Sequence, residues 1–443
     1  MSYLIHQPYI INNKEVRKGS LLIEDDIIKE IFWSDVPEAI LKNYPVIEAE
    51  NLHLFPGIID DQVHFREPGL TYKGDIESES KAAVAGGITS YLEMPNTKPP
   101  TTSISEIEFK LKRASETSYT NYGFYIGATN ENYREICNSD PALIAGIKVF
   151  LGSSTGNMLV DNEETLDYIF ENSKLIVAVH SEDETIIKEG LESACLKYGN
   201  NIPPYMHAHI RNHESCISST RKAISRAKKF GTRLHILHLS TAGECEMLEM
   251  QNSGKHITAE CCIHHLWFSD KDYHALGNKI KWNPSIKTDV DRDMLRKAVN
   301  DGRIDMIATD HAPHTWEEKQ RPYLDCPSGG PMVQHSLQAM LDLYHNGVFS
   351  LETIAEKMCH APARIFNISK RGYIKKGFYA DLVLADLKKP YIVAKDNIMY
   401  KCGWSPFEGH RFRSSVTHTF VNGQLIYDNG SFNNIRSASP LYF

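Results

Sequence analysis

The sequence predicts an α/β protein: a (β/α)8 TIM-like barrel carrying a small β-sandwich formed by both chain termini. Three observations predict it. Short apolar runs that end in polar or glycine-rich turns alternate with segments of helical spacing through the middle of the chain. Eight such units within roughly 250 to 300 residues match a closed barrel of parallel strands. Both flanks then change to β-branched and aromatic residues broken by turn signals.

In chain order, the first flank is residues 1 to about 54, with runs such as Tyr9-Ile-Ile-Asn-Asn-Lys14. Barrel strands are expected at Pro56 to Asp60, Thr89 to Met94, Tyr122 to Ile126, Gly146 to Leu151, Leu175 to His180, Leu234 to Leu239, His256 to Cys261 and Ile304 to Ala308. Helical spacing marks Glu77 to Ala85, Ile104 to Ser115, Glu214 to Lys229, Ala242 to Met250 and Asp291 to Val299. Thr315 to Gly330 reads as a loop long enough to cover a site. The second flank, 371–443, contains Asp381-Leu-Val-Leu-Ala385 and Thr419-Phe-Val-Asn-Gly-Gln424. The expected division is therefore a composite β-sandwich of 1–54 and 371–443 around a catalytic barrel of 55–370.

The chain has 443 residues, 42% hydrophobic, enough for one large core and an appendage. A net charge of −8 with mixed Lys and Arg argues against nucleic acid as a partner, because a phosphate backbone calls for a concentrated basic face. Nine scattered cysteines without a C-x-x-C pair read as reduced thiols. The start lacks a signal-peptide pattern and no run approaches membrane-spanning length, so a cytoplasmic protein without a membrane partner is expected.

The chemistry gathers at strand ends. If the first strand alternates regularly, Asp60, Gln62 and His64 share the barrel mouth. His180 closes Leu175-Ile-Val-Ala-Val-His180 and His238 closes His235-Ile-Leu-His238; His235 faces the other way. Imidazoles here, with Asp310 after Asp305-Met-Ile-Ala-Thr309, form a metal-ligand pattern. Lys148 lies inside the buried run Ala145-Gly-Ile-Lys-Val-Phe-Leu151. Its ammonium needs either a salt bridge or a lowered pKa; a neutral amine would take up carbon dioxide to give a carbamate able to bind metal. Asp310 is suited to bind metal and to shuttle a proton. Arg66 offers a planar fork for a carboxylate, with Asn96 close by in barrel order and His314 as a further contact. Asn283 and the glycines of Ser328-Gly-Gly330 are weaker substrate contacts, and His264 and His265 weaker still. The set points to metal-assisted hydrolysis of a small acidic amide.

These segments carry a resemblance to the dihydroorotases of the amidohydrolase superfamily over essentially the whole length. They are Phe55-Pro-Gly57, His64-Phe-Arg-Glu-Pro-Gly69, Ala85-Gly-Gly-Ile-Thr89, Met94-Pro-Asn-Thr97, His238-Leu-Ser-Thr-Ala-Gly243, Asp310-His-Ala-Pro-His314 and Gly377-Phe-Tyr-Ala-Asp-Leu382. The resemblance implies zinc-dependent, reversible ring closure of N-carbamoyl-L-aspartate to L-dihydroorotate. It implies Arg66, Asn96 and His314 on the substrate carboxylate, Asp310 as the proton shuttle, and His64, Lys148, His180, His238 and Asp310 around zinc. Gln62 stands where that family usually has the first histidine of His-x-His, and an amide oxygen is a poorer zinc donor than imidazole. Three readings stay open: one ion held mainly by Lys148, His180 and His238; two ions with Gln62 or Asp60 completing the second; or a protein without catalysis. A hydantoinase-like or dihydropyrimidinase-like cyclic amidase is the enzymatic alternative, and a non-catalytic partner of another pyrimidine-pathway enzyme the alternative from a different class. A homodimer is the expected assembly.

Overall fold

A computed structural model describes residues 2–152, 158–250 and 254–443. Its centre is a ring of eight parallel strands: β1 (Ile58–Val63), β2 (Ile88–Glu93), β3 (Asn121–Phe124, continued by Ile126–Gly127), β4 (Ile147–Phe150), β5 (Val177–His180), β6 (Leu234–Ile236), β7 (Ile257–Cys262) and β8 (Met306–Ala308). Closure is made at the site end. His64 N donates to His311 O at 2.8 Å, and Thr309 N donates to Asp60 Oδ1 at 3.1 Å.

Every residue of β1 to β6 is buried, as strands covered on both faces must be. The intervening helices begin where side chains can answer their free N–H groups. Asp75 Oδ1 accepts from Ser78 N at 2.7 Å ahead of helix Ile76–Ala85, and Thr288 accepts from Asp291 N at 3.2 Å ahead of Asp289–Asn300. The helix expected over Ala242 to Met250 ends at Glu246.

The two flanks meet in one unit of two sheets. One sheet has the order Ile27–Phe32, Ser20–Glu24, Tyr3–His6, Val46–Glu48. The other runs Ser431–Phe432, Gln424–Asp428, Ser415–Val421, Leu382–Asp386, His53–Pro56, Tyr9–Asn12, Glu15–Lys18. Ile5, Leu21, Ile23 and Leu54 from the first flank share a core with Leu382, Leu384 and Phe420 from the second. His53–Pro56 pairs with Leu382–Asp386 through Pro56, so this sheet runs past residue 54 before the barrel begins.

Not all of the second flank stays in the sheets. The short pair Tyr391–Ile392 and Arg411–Phe412 brackets an excursion back onto the barrel, where Phe407 and Phe412 contact Trp267. Farther on, Ser439 O accepts from Tyr122 N at 3.2 Å and Leu441 N donates to Tyr122 O at 2.8 Å. Leu441 there joins a buried cluster with Ile59, Leu92 and Tyr125. No helix among the described residues is long and apolar enough to cross a membrane.

Candidate active site

The carboxyl ends of the barrel strands enclose a cavity of about 240 Å³. Gln62, His64, Arg66, Asn96, Lys148, His180, His238, Asn283, Asp310 and His314 all line it, as do Ser328 and Gly329. Ala312 and Pro327 add to the wall, as do Phe150 and Trp282, which were not singled out from the sequence. Asp60 is not at the mouth. The β1 register shifts between Asp60 and Val63, which breaks the regular alternation, and the Asp60 carboxyl turns to Thr309 instead. Thr309 Oγ1 donates to Asp60 Oδ2 at 2.6 Å, and burial pushes the Asp60 carboxyl up to about 8.

The backbone is bent sharply where the chemistry sits. Arg66, His238 and Asp310 hold φ values of 70°, 41° and 44°, in the left-handed region that side chains other than glycine enter at about 1–2 kcal/mol each. Such conformations persist when neighbours fix them, and Asp310 is fixed by Trp282 Nε1 donating to its carbonyl at 3.2 Å.

One half of the cavity is hydrogen-bonded within itself. His64 Nδ1 meets Asn96 Oδ1 at 2.7 Å and His64 Nε2 meets Asp310 Oδ1 at 3.0 Å. Gln62 Nε2 donates to the same Asp310 oxygen at 3.3 Å, while Gln62 Oε1 faces Cys262 Sγ at 3.8 Å. Both ends of the Gln62 amide are therefore engaged.

The other half holds basic nitrogens. His180 Nε2 donates to Glu182 Oε2 at 2.9 Å, so its Nδ1 is turned toward His238 Nε2, also 2.9 Å away. Burial alone would raise the Glu182 carboxyl, but Arg211 and then His180 outweigh it and hold it at about 2. Burial pushes both histidines below the ordinary imidazole range, and His238 Nδ1 is buried without a hydrogen-bond partner. Lys148 is 1% exposed, its Nζ 4.7 Å from the Phe150 ring centre. Desolvation lowers its ammonium to about 7 against the opposing pull of Asp310 and Glu260. Neutral imidazoles, an orphaned ring nitrogen and an amine able to lose its proton are a donor set that fits a zinc-like ion.

A third group forms the cationic wall. Arg66 Nε donates to Pro313 O at 3.0 Å, and its Nη2 lies 3.1 Å from His314 Nε2. Burial lowers the guanidinium to about 10, still charged at neutral pH. Lys73 Nζ donates to His314 Nδ1 at 2.9 Å and pairs with Glu318 at 3.0 Å; burial beside Arg66 keeps the imidazole uncharged. Thr315 to Gly330 is not a plain loop. Helix Trp316–Lys319 lies within it, and the buried Lys319 Nζ donates to Lys281 O, Pro327 O and Gly329 O at 3.3, 2.9 and 2.8 Å. Gly329 has φ 122°, and a Cβ there would stand 2.6 Å from Ala312 O, so only glycine lets this wall close. The excursion from the second flank reaches the same wall, with Trp404 Nε1 donating to His314 O at 2.8 Å. His264 and His265 lie behind the cavity: His264 stacks on Trp282 at 4.5 Å and His265 Nε2 donates to Pro284 O at 3.1 Å.

Comparison with known proteins agrees with this geometry. The family model described as "Amidohydrolase family" matches residues 53–426. A protein of Halobacterium salinarum named dihydroorotase is 33% identical over 377 residues, covering 85% of this chain and 86% of its own. A dihydroorotase of Pyrococcus furiosus is 31% identical, covering 97% of this chain and 93% of its own. Among solved structures, an L-hydantoinase (dihydropyrimidinase) from Arthrobacter aurescens superposes with a TM-score of 0.92 at 24% identity, covering 100% of this chain and 99% of its own, a likeness of fold. The chain belongs to the amidohydrolase family and is a cyclic amidohydrolase.

Proposed function

We propose that this enzyme is a dihydroorotase, interconverting N-carbamoyl-L-aspartate and L-dihydroorotate in de novo pyrimidine biosynthesis. The observation that carries the reading is the placement of Arg66, Asn96 and His314 in one cavity with Lys148, His180, His238 and Asp310. An uncharged ring would not need that cationic wall; a ring bearing a carboxylate would. In this reading Arg66, Asn96 and His314 hold the carboxylate and Asn283, whose buried Oδ1 has no partner, contacts the ring. Asp310 takes a proton from water as the amide carbon is attacked, then returns it to the ring nitrogen as the C–N bond breaks; in cyclisation the steps reverse.

Lys148, His180 and His238, with Asp310, would hold one zinc ion; bound there, it would polarise the amide and acidify water. The neutral Lys148 amine is poised to add to carbon dioxide, forming an N–C bond and releasing a proton, to leave a carbamate. His64 and Gln62 are committed to Asp310, which supports one ion over two. The barrel, from just after Pro56 to about 370, carries the chemistry, and the two flanks form the β unit apart from the segments that dock back on the barrel; unpaired cysteines suit a cytoplasmic enzyme, and a homodimer is its proposed assembly.

The test is metal counting on the purified protein beside hydrolysis of dihydroorotate and of uncharged hydantoins. Faster turnover of the hydantoins would replace this reading with a hydantoinase-like amidase. A metal-free protein inert toward both would leave the non-catalytic partner that Gln62 alone favours.

A further inference from the structure

A second set of metal-compatible donors lies outside the cavity. Asp61 on β1, His235 on β6 and Glu260 on β7 turn together inside the barrel, each 0% exposed, with their donor atoms all within 4.8 Å of one another. His235 Nε2 stands 3.4 Å from Asp61 Oδ2 and 3.4 Å from Glu260 Oε2. That separation is long for a hydrogen bond. It matches the edge, about 3.4 Å, of a tetrahedron whose metal–donor bonds are about 2.1 Å.

Hydrogen bonding to Thr258 sets one orientation of the ring's lone pair. Thr258 Oγ1 gives its one hydrogen to Leu234 O at 3.3 Å, so at 2.9 Å it accepts from His235 Nδ1. In that tautomer Nε2 of the neutral ring is a lone pair aimed at two carboxyl groups; in the other it donates to Glu260 Oε2 at 3.4 Å. Glu260 Oε1 accepts from His238 N at 3.1 Å, which leaves Oε2 facing the ring. Asp61 accepts from no nitrogen or hydroxyl donor; it faces the Glu260 carboxyl, which burial and this like-charged neighbour push well above the ordinary carboxylate range, and the buried Tyr125 hydroxyl, within electrostatic reach of both acids, has no partner. Electron pairs converging in a low-dielectric interior require positive charge among them.

We propose that Asp61, His235 and Glu260 hold a divalent, zinc-like cation, separate from the cavity, that ties β1, β6 and β7 together. Two carboxylates and an imidazole whose far nitrogen donates to a hydroxyl form a suitable ligand set, with Tyr125 available as a further oxygen. Full enclosure means the ion enters as the chain folds rather than by exchange through a folded wall. A proton shared by the acids, or a charged imidazole, is the competing source of compensation.

The experiment disables the cavity donors with His180→Ala/His238→Ala, expresses that protein with added Zn2+, dialyses it against a chelator while folded, and counts zinc by elemental analysis. Retention of one zinc per chain, released only on unfolding in guanidinium, is expected. Adding Asp61→Leu should remove it and lower the unfolding midpoint. A folded His180→Ala/His238→Ala protein without zinc, or zinc unchanged by Asp61→Leu, overturns the proposal. If the double variant does not fold, crystals of the unaltered protein grown from zinc-replete stock decide: an anomalous peak among the three side chains supports the site, and its absence removes it.

Discussion

The two halves of the cavity contain similar residue types and differ in how far their hydrogen bonding is satisfied. On the side of His64 and Gln62, both imidazole nitrogens and both ends of the amide already have protein partners. On the side of Lys148, His180 and His238, a ring nitrogen is orphaned and an amine is driven toward neutrality. The number of donors is a poor guide to where an ion sits; the number of uncommitted electron pairs is a better one.

The comparison fails most visibly if the uncommitted half can be dispensed with. His238→Ala should release the ion and lower turnover of dihydroorotate by about 10³-fold or more, read by metal counting and steady-state kinetics. Turnover within a few-fold of the parent would show that the ion lies elsewhere. Asp310→Asn touches the boundary between the halves and removes the proposed proton shuttle; kcat should fall about 10²–10⁴-fold with zinc retained.

Arg66→Ala acts on the cationic wall alone. A charge-assisted contact of about 1.5–3 kcal/mol should be lost, so kcat/KM for dihydroorotate drops about ten- to a hundredfold while an uncharged hydantoin is little affected.

A pH experiment sharpens the account of the basic half. Lys148 titrates near 7 when folded and at its ordinary 10.5 when unfolded, so between those values the unfolded chain carries the extra proton. Stability of the metal-free protein should therefore rise as pH increases from about 7 toward 10, and Lys148→Met should flatten that part of the profile. An unchanged slope would show that the lysine is not desolvated. The smallest effect is expected of Gln62→His, which restores a stronger donor on the committed side: bound zinc should increase, with a modest change in rate.

Much of this site was legible because strand ends report themselves. Apolar runs closing on His180 and His238, and Asp310 with His314 beside Arg66, needed only the barrel rule to bring them together. What sequence could not show depended on departures from regular geometry. The register shift in β1 swings Asp60 onto Thr309, where strict alternation would have placed it beside Gln62 and His64. Phe150 and Trp282 enter the wall as ordinary apolar residues, and nothing local distinguishes them from core. Glu182, two residues beyond His180, was available as a signal, but its role depends on Arg211, which approaches from a distant segment. The return of the second flank onto the barrel was hidden for the same reason: Trp404 is far from His314 in sequence and meets it only through folding.

That indole-to-carbonyl contact bears on how the molecule can be dissected. A barrel cut free of its C-terminal quarter would lose the group that anchors the backbone at His314, and the neighbouring guanidinium would lose its fixed aim. The second flank is thus a structural support of the cationic wall, and any shortened version of the enzyme must keep residues through at least the Trp404 excursion.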